Sequence, residues 1–280
     1  MEGRQNLTCN DIFNTALVAG GGILPIEIAK KLRERHQKTL VIALCKDIEP
    51  LRPYASRIIR MRFPNMSRSL KEMKAFGADS VIMAGIIPKR LIYCLPLLFD
   101  KLAREVLRDT LKDDHSLLSS IVNAIESRGI KVIPYWQILT EFIAAKGRLS
   151  SREPSAREMS DIECGKNILR VTLPCSFGQA VCVADGSVSA IEAMEGTDKM
   201  ILRAGEIVRR GVVVKMMRKD QDMRYDLPTV GINTLENMKS AGLTCLAVEA
   251  GKTLILEPDK FFALADKYSI AVWGISNHKE

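Results

Sequence analysis

Aromatic side chains are scarce in this chain, at 5% of 280 residues, so its interior must be filled by aliphatic groups. With 47% hydrophobic and 26% charged residues, the composition is that of a folded protein and not of a disordered one. Histidine is also rare: His36, His115 and His278 lie far apart without HxxxH spacing, so no zinc site is expected from them. The seven cysteines, Cys9, Cys45, Cys94, Cys164, Cys175, Cys182 and Cys245, contain no CxxC pair and fall mostly in apolar runs, which predicts reduced core thiols. A GxSxG elbow is missing, so a serine triad has no local signature. No apolar run approaches the roughly 18 residues that span a bilayer, and no secretory leader pattern opens the chain. A cytoplasmic protein that touches membranes only peripherally is the expectation.

A single-sign charge block is absent too. The net charge of +8 is spread among interleaved acidic and basic residues, so a nucleic-acid partner is not expected. A diffuse positive field attracts an anionic nucleotide or an anionic membrane surface equally well, and ordinary solubility accounts for it.

What is there is an alternation. Strand-like runs at residues 15–19, 39–45, 80–85 and 130–134 are separated by helical patterns near 25–36, 67–76, 91–111 and 116–128. This predicts an α/β protein with a Rossmann-like parallel-sheet domain first. Residues 146–165 turn polar around SSREPSARE, which sets an expected boundary between a domain at 1–150 and a second mixed α/β domain at 151–280. In that half, Asp185-Gly186 between β-type runs predicts a hairpin. A helix over 197–209, a strand over 212–216, and then a helix, a strand pair, a helix and a final strand are expected to follow.

Two stretches offer chemistry. Gly20, Gly21 and Gly22 in AGGGILP lie between a strand and a helix, where backbone amides suit an anion, although neither the GxGxxG spacing nor a P-loop lysine is present. A plain turn explains them equally well. Later, the carboxylates Glu192, Glu195, Asp198, Asp222 and Asp226 and the cations Lys215 and Arg224 form a polar cluster between residues 192 and 226. Oxygen ligands of this kind suit magnesium, and the cations suit phosphate, while a solvated charged face is the plainer reading.

Through AGGGILP, VIMAGIIPKR, DDHSLLSSIVNAIESRGIKV, GQAVCVADGSVSAIEAMEGTDKM, VVVKMMRKDQDMRYDLPTVG and AGLTCLAVEAG, the chain resembles bacterial UDP-2,3-diacylglucosamine pyrophosphatases of lipid A synthesis. The likeness is to the single-chain type unrelated to metallophosphoesterases. It implies magnesium-dependent hydrolysis, with manganese able to substitute, of a lipid-linked UDP-sugar to UMP and 2,3-diacylglucosamine 1-phosphate. It also implies peripheral contact with the inner membrane and admits a homo-oligomer. By that resemblance Asp226, Asp222, Arg224 and Lys215 are the catalytic candidates. Gly20, Gly21, Gly22, Gln179, Glu192, Thr197 and Thr229 are the substrate-binding candidates, and Glu195, Asp198 and Asp226 the metal ligands. The chain departs from the pattern at Ser176, where an Asp is usual, and at Arg218, Lys219 and Asp220, where Lys-Pro-Gly is usual. The alternatives are a Rossmann-like NAD(P)-dependent enzyme and a non-catalytic nucleotide-binding module.

Overall fold

A computed structural model describes residues 14–87, 99–107, 114–219 and 221–276. Cys9, Cys94, His278, Asp220 and much of the helical pattern over 91–111 lie outside the described residues. The chain divides into two units: Met1–Thr140 with Asp222–Tyr225, and Glu141–Gln221 with Asp226–Glu280.

In the first unit, β1 (Asn14–Ala19), β2 (Lys38–Ala43), β3 (Arg57–Arg60), β4 (Ser80–Ala84) and β5 (Lys131–Val132) form a parallel sheet in the order β3-β2-β1-β4-β5. That is the 3-2-1-4-5 strand order of the doubly wound α/β fold. The central strands are near-continuous apolar runs because helices cover both faces. The edge strand β3, RIIR, is too short and polar to stand out in the sequence, and it was not among the expected strands. Helix Leu24–Glu34 follows β1 and carries a proline in its first turn. Helix Met66–Phe76 is capped by Asn65, whose side chain accepts the Arg68 N–H at 2.8 Å. The core joins Ala16, Leu40, Ile42, Val81 and Val122 with Tyr225, from the segment that returns late in the sequence.

The second unit is built on a six-stranded sheet of β6 (Gly147–Arg148), β7 (Ala180–Ala184), β8 (Ser187–Ile191), β9 (Val212–Lys215), β11 (Cys245–Glu249) and β13 (Ala271–Ile275). Its order is β6-β13-β11-β9-β7-β8. Strands β9, β11 and β13 are parallel, and β6, β7 and β8 add antiparallel edges. The predicted hairpin joins β7 to β8 through Asp185 and Gly186, both in the left-handed region, at φ 56 and 75, as a tight right-twisting turn requires. The strand pair expected near the end is not a pair: β11 sits in the main sheet, whereas β12 (Leu254–Ile255) joins β10 (Thr229–Val230).

Helices Thr197–Ile207, Ile232–Ala241 and Pro258–Lys267 cover one face of this sheet, packing Met200, Leu235, Met238 and Phe261 against Cys182, Val213 and Leu246. Helix Ala156–Thr172 covers the other, with Ile162 and Leu169 against Val181, Val183, Val212 and Val214. That helix was not expected, because its buried stripe contains Glu158, Asp161 and Lys166. Each of these polar groups is used. Arg152 donates to both Glu158 oxygens at 2.8 Å, and Asp161 accepts the Asp185 and Gly186 amides at 3.1 and 2.7 Å, which ties the hairpin turn to the helix. The polar stretch placed at the expected boundary of residue 150 therefore belongs to the second unit. Ser150 Oγ accepts the Val272 N–H at 2.8 Å, and the chain divides ten residues earlier, at Thr140/Glu141. The five described cysteines are free thiols.

Candidate active site

Strand β9 ends on Lys215, which is in register with Ala180 at the start of β7. Because β7 runs antiparallel to both β8 and β9, Gln179 just before it and Glu192 just after β8 come to the same sheet edge as Lys215. This is the carboxyl edge of the parallel strands, where ligands of open α/β sheets bind. The side chains form one chain of contacts. Lys215 Nζ donates to Thr197 Oγ1 at 3.0 Å and to the Thr229 carbonyl at 2.9 Å. Thr197 donates to Glu192 Oε1 at 2.8 Å, and Glu192 Oε2 accepts the Gln179 N–H at 3.0 Å. Five expected site residues are thus brought together. Burial drives the Lys215 pKa below the ordinary lysine value, and the negative charges of Glu192 and Asp198 act against that shift. An ammonium has three N–H donors, and among the described residues two are taken, which leaves one for an anionic oxygen.

Two further residues of this edge were not singled out in the sequence. Gln221 is buried, and its Oε1 accepts from Gln179 Nε2 at 3.0 Å and from the Arg218 N–H at 3.3 Å. Glu249, buried at the end of β11, accepts the Met217 N–H at 2.8 Å and pairs with Lys252 at 2.9 Å, which pins the backbone just past Lys215. Only their places in the VVVKMMRKDQDMRYDLPTVG and AGLTCLAVEAG stretches hinted at a role.

The remaining candidates have other surroundings, except that Asp198 lies near enough to Lys215 for its charge to act there. Asp222 and Arg224 bind each other, with contacts of 2.8–3.1 Å, and Arg224 also reaches Glu126 at 2.9 Å within the first unit. Desolvation would raise the Asp222 pKa, but Arg224 outweighs it and holds the carboxyl low. Asp226, half-buried, opens the return of the chain to the second unit. Glu195 pairs with Arg203 at 2.6 Å, and Asp198 is exposed in the first turn of helix Thr197–Ile207. No group of three His, Cys, Asp or Glu able to hold a metal is found among the described residues.

In the glycine loop, the Gly20 amide donates to the Ala84 carbonyl, and Gly21 exchanges both its backbone hydrogen bonds with Ile86, all at 2.8 Å. Those two amides are committed to the fold. A Cβ on Gly20 would lie 2.7 Å from the Gly85 carbonyl carbon, so this glycine serves close backbone approach. The loop therefore lacks the free run of amides that a dinucleotide fingerprint presents.

Fold and site together define a class: a protein of two α/β units whose second unit buries a lysine, held by hydroxyl, carbonyl and carboxylate groups, at the carboxyl edge of its sheet. The chain belongs to the LpxI family, the LpxI N-terminal domain matching residues 14–142 and the LpxI C-terminal domain residues 145–273. It is 29% identical, over 92% of its length and 96% of the relative's, to the UDP-2,3-diacylglucosamine pyrophosphatase LpxI of Caulobacter vibrioides. Among solved structures it is similar to a UDP-glucose-4-epimerase from Stenotrophomonas maltophila, at 10% identity and TM-score 0.29 over 70% of this chain and 72% of that one. Another is a glycinamide ribonucleotide transformylase from Symbiobacterium toebii, at 22% identity and TM-score 0.24 over 29% and 44%. At such TM-scores neither likeness carries an argument.

Proposed function

We propose that this chain hydrolyses the diphosphate of UDP-2,3-diacylglucosamine to UMP and 2,3-diacylglucosamine 1-phosphate in lipid A synthesis. Family membership and the name of the Caulobacter relative support the substrate. The observation that carries the chemistry is the buried Lys215, fixed between Thr197 and the Thr229 carbonyl. A preorganised cation in a water-poor site stabilises the charge that develops on phosphate oxygens far better than a solvated one. Water attacks the sugar-side phosphorus and the bond from that phosphorus to the bridging oxygen breaks. The electron pair leaves with UMP, and the proton lost by the water passes to a carboxylate. Asp226 is the choice for that base, as the half-buried carboxylate that opens the return of the chain to the second unit.

Magnesium, with manganese in its stead, is the proposed cofactor. It needs only one or two protein carboxylates besides water and substrate phosphate, so it does not require the three-residue cage that the described residues lack. Asp198 is the best disposed of the expected ligands, being exposed and sharing the Lys215 environment with Glu192, whereas Glu195 is already taken by Arg203. When bound, the metal offsets the charge of the diphosphate. Purified protein should release UMP from the lipid nucleotide in magnesium and stop in EDTA. No release with any divalent metal would remove the reading, and undiminished turnover in excess chelator would remove the cofactor. Peripheral contact with the inner membrane follows from the acylated substrate, and retention by vesicles carrying that substrate tests it.

A further inference from the structure

Gln221 is 6% exposed, and among the described residues its Nε2 has no hydrogen-bond partner. The orientation of the amide is fixed, because the Arg218 backbone N–H can only donate and it meets Oε1 at 3.3 Å. Gln179 Nε2 donates to the same oxygen at 3.0 Å, so two donors lock the carbonyl end and leave the NH2 end as a buried donor in need of an acceptor. Native proteins rarely leave such a donor unpaired unless a ligand or water completes it. Gln179 in turn adjoins Glu192 through its backbone N–H, which connects the amide pair to the Lys215 network.

We infer that Gln221 is a substrate-binding residue whose Nε2–H donates to an oxygen acceptor of the bound substrate, with Gln179 as the positioning residue that holds the amide in that orientation. The inference rests on the hydrolase reading and adds to it a contact that depends on neither Lys215 nor metal. The chemistry selects an acceptor-only group: a phosphoryl oxygen, or a carbonyl oxygen of the base or of an acyl chain.

Two variants of the full-length protein test it. Gln221→Glu keeps an oxygen for both locking donors but replaces the NH2 by an acceptor, and Gln221→Met removes the donor without adding charge, together with the oxygen that the Arg218 N–H and Gln179 use. With wild-type turnover established first, both should raise KM by about 10-fold or more, the range for a lost hydrogen bond to a charged or buried acceptor, while kcat at saturation changes little and the thermal midpoint of Gln221→Glu, which keeps the locking oxygen, stays near wild type. A purely structural glutamine would move the midpoint and leave KM alone. Calorimetric titration with UMP and with 2,3-diacylglucosamine 1-phosphate locates the acceptor: weakened UMP binding assigns it to the nucleotide half, and weakened binding of the sugar phosphate to the lipid half. Folded variants with unchanged KM and unchanged affinity for both products overturn the inference. A wild-type protein that hydrolyses nothing overturns the underlying reading instead.

Discussion

At the scale of single residues, position in the fold separates groups that the sequence lists side by side. Lys215 has a lowered pKa because burial disfavours its charge, so activity that needs the ammonium should be lost at alkaline pH, below the ordinary lysine value of 10.5. Lys215→Arg should move that limb of the kcat/KM profile upward, and an unmoved limb would assign it to another group. Asp226→Ala should lower turnover by about 10²-fold or more while substrate still binds, as loss of a general base does. Near-normal turnover in a folded variant removes Asp226 from the mechanism. The glycines divide more sharply than their run suggests. Gly20→Ala drives a Cβ into the Gly85 backbone and should cost about 1–3 kcal/mol of stability, whereas Gly21→Ala meets only the Ile86 oxygen at 3.5 Å and should fold normally. Equal thermal midpoints for the two would contradict that geometry.

At the scale of elements, the alternation of apolar runs and amphipathic stretches made β1, β2, β4 and the hairpin legible, because each rests on a periodicity or a turn pair that is local in sequence. Helix Ala156–Thr172 was hidden because its buried face carries charges whose partners are remote: Arg152 answers Glu158, and so does the Thr244 hydroxyl at 2.7 Å. The signal present was the capping box of Ser155 and Glu158, read as mere polarity. The site was half legible for the same reason. Lys215 and Glu192 end visible strands, but the roles of Gln221 and Glu249 depend on contacts across 42 and 32 residues. Burial would raise the Glu158 pKa, yet Arg152, the Ser155 amide and Thr244 outweigh it and hold the group at about 2, below its usual 4.5. A depressed folded-state pKa stabilises above the unfolded value, so this contribution is complete above about pH 4.5 and disappears as pH falls toward 2. Glu158→Gln should flatten the acid limb of the stability curve in that window. A variant as acid-sensitive as wild type would show that other carboxylates dominate.

At the scale of the whole molecule, the chain passes between its units three times, at 140/141, 221/222 and 225/226. No helix among the described residues is long and apolar enough to cross a membrane. The short return Asp222–Tyr225 is a structural part of the first unit. Tyr225 is buried in its core, its hydroxyl lies 3.0 Å from Ser119 Oγ, and Arg224 bridges Asp222 to Glu126. A four-residue segment that begins 82 positions after Thr140 therefore supplies Tyr225 to its hydrophobic cluster, and a fragment ending at residue 140 lacks it. Tyr225→Ala should cost roughly 3–5 kcal/mol, the range for removing a large aromatic from a core, and Tyr225→Phe only about 1 kcal/mol for the lost hydrogen bond. The loss should be local. Hydrogen exchange in the full-length variant should accelerate in β1, β2 and helix Asp114–Glu126, while β9, β11 and β13 of the second unit keep their protection. Uniform acceleration through both units would mean that they unfold together, and unchanged protection in β1 and β2 would mean that the returning segment only decorates a core that closes without it.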